Sequence, residues 1–259
     1  MPNLATHSPD WIWKLPPQGH LSIVSGEIHL WKVILTQPIS FPAEISSLLS
    51  VEERARSDSF RFEEQRHRFI LSRGILRILL ARYLCLNPRE LRIPATLKGK
   101  PYLDVDSQIN LQFNLSHSFN LMVFAFVLDS PIGVDIEQIR MIQRKEKLAK
   151  RFYSSAEVER IFNLPSDQQD LVFLQAWTRK EAYLKATGEG LIFPLSQIEV
   201  SLGMEEPAQL LHVPENSERE WCMVSFEPES GYIGAVVYRK PLRRLRCFQL
   251  DIPKVERIS

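Results

Sequence analysis

The feature that most constrains this fold is a repeated grammar. Ser50-Val51-Glu52-Glu53 and Ser154-Ser155-Ala156-Glu157 share a Ser-x-x-Glu spacing. In that spacing the serine hydroxyl accepts a hydrogen bond from the third helical N–H, and the glutamate reaches back to the serine N–H, so each marks a helix start. Each is followed by a long amphipathic run. Gln65 to Leu84 carries Phe69, Leu76, Leu79, Leu80 and Tyr83 at helical spacing, and Asp167 to Thr187 is stopped by Gly188 and Gly190. A strand-like segment precedes each: Leu21 to Leu35, broken by Pro38 and Pro42, and Ile132 to Glu137. The order strand, capping box, long helix, strand thus occurs twice, about 100 residues apart, with poor local identity. This predicts two α/β halves related by duplication, with a cleft between them as the natural ligand site.

The remaining elements fit that frame. Leu91 to Leu103 reads as two short strands around a Lys98-Gly99-Lys100-Pro101 turn, and Leu111 to Leu115 as another strand. Leu121 to Leu128 is a fully apolar strand, and Asp129-Ser130-Pro131 is the expected linker. Arg144 to Phe152 is a short helix, Gln197 to Leu202 a strand after Pro194, and Cys222 to Glu227 with Tyr232 to Tyr238 an antiparallel pair. The expected division is 1–128, 129–240, and a basic, proline-interrupted peripheral tail over 241–259.

Composition narrows the function. With 259 residues, 44% hydrophobic and 24% charged, the chain can bury a large core. A net charge of +1 gives no whole-molecule attraction for nucleic acid, so any anion site is a local cluster. Cys85, Cys222 and Cys247 are odd in number and widely spaced, which suits reduced thiols in the cytoplasm. The N-terminus lacks the apolar core of a signal peptide, and the longest apolar run, Leu121 to Leu128, is too short to cross a membrane as a helix.

The chemistry concentrates in two segments. In Gly133-Val134-Asp135-Ile136-Glu137 the strand period puts Asp135 and Glu137 on one face and Val134 and Ile136 on the other. Two hard oxygen donors on a rigid strand suit Mg²⁺, which keeps a few carboxylates plus phosphates and waters. In Trp177-Thr178-Arg179-Lys180-Glu181-Ala182-Tyr183-Leu184-Lys185, Glu181 and Lys185 are one helical turn apart. Three carboxylates and a lysine, brought together, make a site for a divalent cation and a phosphate. Taken singly, an acidic strand face and an i,i+4 ion pair are also ordinary surface chemistry. His117 between Ser116 and Ser118 is either a phosphate donor at a strand entry or a solvated turn residue. Arginines from Arg54 to Arg73 alternate with acids as a salt-bridged helix surface does. Arg140 to Arg151 carries six cations against Glu146 alone, a docking surface for an acidic partner or a solvated helix.

The joint order of these segments is more specific than any of them. Gly99-Lys100-Pro101, then Asn114-Leu115-Ser116-His117-Ser118, then Gly133 to Glu137, then Phe152 to Glu157, then Trp177 to Leu191 resembles the Sfp-type 4′-phosphopantetheinyl transferases, over about Ser50 to Leu202. The resemblance implies a pseudo-twofold pair of α/β halves in one chain, acting as a monomer, with coenzyme A in the cleft. It implies Asp135, Glu137 and Glu181 as Mg²⁺ ligands and Lys185 on a phosphate. Ser116 and His117 would contact coenzyme A phosphates, Lys100 and Pro101 would line the nucleotide site, and Arg56, Arg68 and Arg73 would grip the 3′-phosphate. The implied reaction moves phosphopantetheine from coenzyme A to a serine of an apo acyl carrier protein or carrier domain, leaving 3′,5′-ADP. Glu181, Lys185 and His117 are the catalytic candidates, and Glu181 is the candidate base. Two other readings remain: an Mg²⁺-dependent nucleotide enzyme with a small acceptor, and a non-catalytic module that binds coenzyme A or carrier proteins.

Overall fold

A computed structural model describes residues 11–35, 43–105, 109–190, 193–203 and 206–251. Pro38, Pro42 and Leu191 lie outside the described residues. In chain order the elements are β1 (Trp13–Lys14), β2 (Glu27–Ile34), α1 (Ala43–Ser47), α2 (Val51–Asp58), α3 (Glu63–Leu84), β3 (Leu111–Ser118), β4 (Leu121–Leu128) and β5 (Ile132–Gln138). There follow α4 (Lys145–Phe152), α5 (Ser155–Phe162), α6 (Ser166–Thr187), β6 (Glu199–Val200), β7 (Leu210–His212), β8 (Trp221–Phe226), β9 (Tyr232–Arg239) and β10 (Arg244–Gln249).

Both capping boxes form as their spacing dictates. Ser50 N donates to Glu53 Oε2 at 3.0 Å and Glu53 N donates to Ser50 Oγ at 3.2 Å. At α5 the same bonds join Ser154 and Glu157 at 2.9 and 3.3 Å. Each box has a further partner that its spacing does not reveal. Arg77 Nε of α3 donates to Glu53 Oε2 at 2.7 Å, and Lys180 Nζ of α6 donates to Glu157 Oε2. Both pairs are buried, so in each half the long helix is bolted to the cap of the short one by an ion pair. Lys180 Nζ also donates to Phe152 O and Leu195 O. Breaking a buried pair from one side strands a charge, which costs about 3–5 kcal/mol. Lys180→Met is therefore expected to lower unfolding free energy by about that amount in a denaturant titration, with Glu157→Gln added to it recovering part of the loss.

The sheets repeat the same order. In the first, β2 pairs with β4 and β4 with β3, all antiparallel; in the second, β5 pairs with β9 and β9 with β8, also antiparallel. First strand, third strand, second strand is the order in both, each beside its long helix, so the α+β duplication is present. α3 packs on one face of the first sheet in a core with Trp31, Phe113, Phe124 and Phe126, and α6 packs on the second sheet with Ala235 and Val237. The opposite faces meet in a third apolar cluster, drawn from β2, β4, β5 and β9 and including Leu30, Ala125, Val134 and Val236. A strand covered on both faces reads as a continuous apolar run, which explains Leu121 to Leu128.

Over residues 241–251 the tail is not peripheral, and 252–259 lie outside the described residues. β10 lies between β1 and β2, parallel to both, with Cys247, Phe248 and Leu250 buried. Phe248 stacks on Trp31 with ring centroids 4.7 Å apart. The strand expected over Gln197 to Leu202 is shorter, only β6: Leu195–Gln197 form a 3₁₀ turn before it, and its pairing with β7 shifts register between Glu199 and Val200. The turn at Lys98 to Pro101 forms, with Thr96 N donating to Lys100 O at 2.9 Å and Gly99 at φ 87°.

Candidate active site

β3 and β5 each form one edge of their sheet, and they run beside each other where the halves meet. The functional side chains sit on that seam. α6 approaches β5 closely because Gly133 has no side chain: a Cβ there would stand 2.0 Å from Ala182 O and 2.3 Å from Ala186 N. This contact brings Glu181 and Lys185 of α6 up to Asp135 of β5.

Asp135 is 6% exposed. Its Oδ1 accepts from Lys185 Nζ at 2.7 Å and from Ser116 Oγ at 2.8 Å, and Lys185 Nζ also reaches Ser116 Oγ and Val134 O, both at 3.1 Å. Its Oδ2 is buried without a partner, and so is Glu181 Oε1. Burial pushes Glu181 up to about 7, and the charges of Asp135 and Glu137 push the same way while Lys185 opposes. Burial also raises Asp135, against the pull of Lys185 and Ser116. Two orphaned carboxylate oxygens that repel one another in a desolvated place are what a cation relieves.

Glu137 stands differently. Its Oε2 accepts from Ser118 Oγ and from Arg140 Nη1, both at 2.8 Å. Among the described residues no three of His, Cys, Asp and Glu are gathered closely enough to hold a metal ion. The orphaned oxygens of Asp135 and Glu181 fit a divalent cation, whereas the three-carboxylate set expected from the sequence is not assembled here, with Glu137 paired to Arg140.

His117 follows Ser116 on β3 with an exposed ring. Its pKa is lowered by desolvation first, then by the charges of Arg68 and Lys185. The shift favours the neutral imidazole, which still carries one N–H donor. Arg68 donates to Phe119 O and to Glu64 Oε1. Arg56 and Arg73 form another group: both guanidinium groups lie over the Phe69 ring, at 5.6 and 5.7 Å. Arg73 Nη1 is buried without a partner, and desolvation lowers the arginine's pKa. A cation so placed suits an anion.

Lys100 reaches the seam from the first half, while Pro101 bridges Ala95 within the turn. Lys100 Nζ donates to Ala186 O at 3.0 Å, near the C-terminus of α6, and to Ile132 O at 3.3 Å, and burial pushes it down to about 8. Lys98 pairs with Glu189 just beyond α6. The turn thus clamps the end of the helix that carries Glu181 and Lys185.

In the cationic run, Lys145 is held by Asp170 at 2.8 Å and Arg140 by Glu137, while Arg144, Lys147 and Lys150 are exposed. Beside them a groove of about 440 Å³ is lined by Glu137, Arg140, Met141, Leu148, Phe152 and Trp177. Met141 is 77% exposed.

Residues 131–237 match the 4′-phosphopantetheinyl transferase superfamily, and residues 39–128 match the N-terminal part of a 4′-phosphopantetheinyl transferase. The chain belongs to the 4′-phosphopantetheinyl transferase family. It is 40% identical over 223 residues to the 4′-phosphopantetheinyl transferase HetI of a Nostoc species, covering 86% of this chain and 92% of that one. It is 31% identical to the 4′-phosphopantetheinyl transferase Sfp of Bacillus subtilis over 75% of this chain and 84% of that one. Among solved structures, the holo-[acyl-carrier-protein] synthase of Neisseria meningitidis aligns with a TM-score of 0.36 at 18% identity, over 43% of this chain and 98% of that one.

Proposed function

We propose that this protein transfers the 4′-phosphopantetheine group of coenzyme A to a serine of an apo acyl or peptidyl carrier protein, in a reaction that requires Mg²⁺. The observation that carries the reading is the meeting, on the seam between the halves, of Ser116 with Asp135, Glu181 and Lys185, two of whose carboxylate oxygens are buried without a partner. Family membership supplies the chemistry for which such a site is suited.

The carrier serine oxygen forms a bond to the β-phosphorus, the bond from that phosphorus to its bridging oxygen breaks, and 3′,5′-ADP departs with the electron pair. Such transfers depend on positioning and on neutralising charge. Asp135, Glu181 and Glu137 would hold Mg²⁺, which when bound would offset negative charge on the pyrophosphate. Lys185 and His117 donate to phosphate oxygens. Glu181 takes the serine proton. Arg56, Arg68 and Arg73 hold the 3′-phosphate, and Lys100 and Pro101 border the nucleotide.

The exposed cations Arg144, Lys147 and Lys150 and the apolar groove next to Glu137 support docking of an acidic carrier with an apolar patch. Replacing those three cations by glutamine is expected to raise KM for the carrier about tenfold and leave coenzyme A binding unchanged; equal loss of both would refute a separate docking surface. Both halves of the site lie in one chain, which supports a monomer. Cys85, Cys222 and Cys247 are free thiols, and among the described residues no helix is long and apolar enough to cross a membrane, which supports a cytoplasmic setting. The reading is tested by following 3′,5′-ADP release with coenzyme A and an apo carrier. Release that needs both the carrier and Mg²⁺, and stops on chelation, is expected; release without a carrier would favour hydrolysis or a small acceptor.

A further inference from the structure

β5 pairs through its backbone with β9 alone, yet three N–H groups and two carbonyls of its other edge find side-chain partners. Val134 N donates to Asn114 Oδ1 at 3.0 Å, Ile136 N to Ser116 Oγ at 3.4 Å, and Gln138 N to Ser118 Oγ at 3.1 Å. On the carbonyl side, Ile132 O and Val134 O accept from Lys100 and Lys185. Three alternate side chains of β3 thus stand where the carbonyls of a neighbouring strand would stand. This seals an exposed edge and fixes how far apart the halves lie.

The serine rungs have a second role that the asparagine rung lacks. A serine hydroxyl has one proton and two lone pairs. Ser116 accepts from Ile136 N and Lys185 Nζ and gives its proton to Asp135 Oδ1 at 2.8 Å. Its capacity is then filled, so it has no proton left for a phosphate while Asp135 holds it. Ser118 accepts from Gln138 N and gives its proton to Glu137 Oε2 at 2.8 Å. Each hydroxyl ties the backbone of β5 to the carboxylate beside it.

We infer that Asn114, Ser116 and Ser118 form a side-chain ladder between the halves, and that Ser118 is a positioning residue that aims Glu137 as Ser116 aims Asp135. The assignment rests on the proposed reading of Asp135, Glu137 and Glu181 as cation ligands. Without the Ser118 hydroxyl, Glu137 keeps only Arg140 as its side-chain donor and turns away from Asp135.

The test compares Ser118→Ala, Ser118→Thr and Asn114→Ala with wild type in the full chain. Mn²⁺ binding is read by electron paramagnetic resonance with coenzyme A present, and unfolding by thermal melt. Ser118→Ala is expected to weaken Mn²⁺ binding about tenfold or more, the usual cost of removing an outer-shell partner. Ser118→Thr restores it. Asn114→Ala, which removes a rung that touches no carboxylate, lowers the melting temperature with Mn²⁺ affinity unchanged. If Ser118→Ala loses only melting temperature, as Asn114→Ala does, the positioning role is overturned and the proposed transferase stands. If Ser118→Ala does not fold, the Thr variant decides: wild-type affinity supports the role, and a tenfold loss in a melting-competent Thr variant overturns it. If wild type binds no Mn²⁺, the metal reading itself fails and the positioning role falls with it.

Discussion

Glu181→Gln is expected to lower transfer by on the order of 10²–10⁴-fold, the range removed with a catalytic base, while stabilising the cation-free protein. Glu181 is 8% exposed and its pKa is pushed up to about 7, first by burial and then by Asp135 and Glu137. A carboxyl raised on folding binds more protons in the native state than in the unfolded one. Its contribution to stability is therefore intact below the ordinary value of 4.5 and is lost as pH rises through about 7. Above that window the ionised carboxylate is an uncompensated charge, and glutamine removes it. The gain expected is roughly 1–3 kcal/mol, since one pKa unit corresponds to about 1.4 kcal/mol. Denaturant titrations on either side of the window measure it. Asp135→Ala should also abolish transfer, but without that gain, because it leaves Lys185 without its carboxylate. Full activity in both variants would show that the cation ligands are misassigned.

Gly133→Ala is expected to be the most damaging single methyl in the chain. The added Cβ would meet Ala182 O and Ala186 N, which are backbone atoms of α6 with no rotamer to change. Either β5 or the helix must move, at a cost of about 3 kcal/mol or more, the upper range for overpacking. The move would part Asp135 from Lys185 and Glu181. Transfer should therefore fall further than the population of folded protein accounts for, as a circular dichroism melt run beside a rate assay would show. A variant with wild-type stability and rate would mean that α6 and β5 are not in contact at Gly133.

Much of the scaffold was legible because it is local. The two serine caps, the long helices and the glycine stop at Gly188 are set by residues within a few positions of each other, and they form as read. β10 was not legible. Its partners are β1 and β2, far away in the chain, and Arg244 and Arg246 are two of its six residues. The alternation of Arg244 and Arg246 with Leu245 and Cys247 was the available signal, with the arginines on the outer face.

The site was legible in part. Strand period placed Asp135 and Glu137 on one face, but it could not register that Arg140, three residues on, and Ser118, on another strand, would hold Glu137. Helical period placed Glu181 beside Lys185, yet it was silent on Lys180, one residue away, which turns inward to bolt α5 to α6. The alternation Asn114, Ser116, Ser118 was visible as a pattern. Its meaning needed the second sheet, because the groups it satisfies belong to β5. The cations Arg56 and Arg73 were named from resemblance, and the physical sign that Arg73 suits an anion, a buried guanidinium nitrogen without a partner, belongs to the folded chain alone.

The central claim is that this chain moves phosphopantetheine from coenzyme A onto a carrier serine. Its most direct test is the intact mass of an apo carrier domain after incubation with the protein, coenzyme A and Mg²⁺. The account predicts a gain of one phosphopantetheine group per carrier, lost when the acceptor serine is changed to alanine. An unchanged mass across fatty-acid, polyketide and peptide carrier types, with the protein folded and coenzyme A bound, would contradict it.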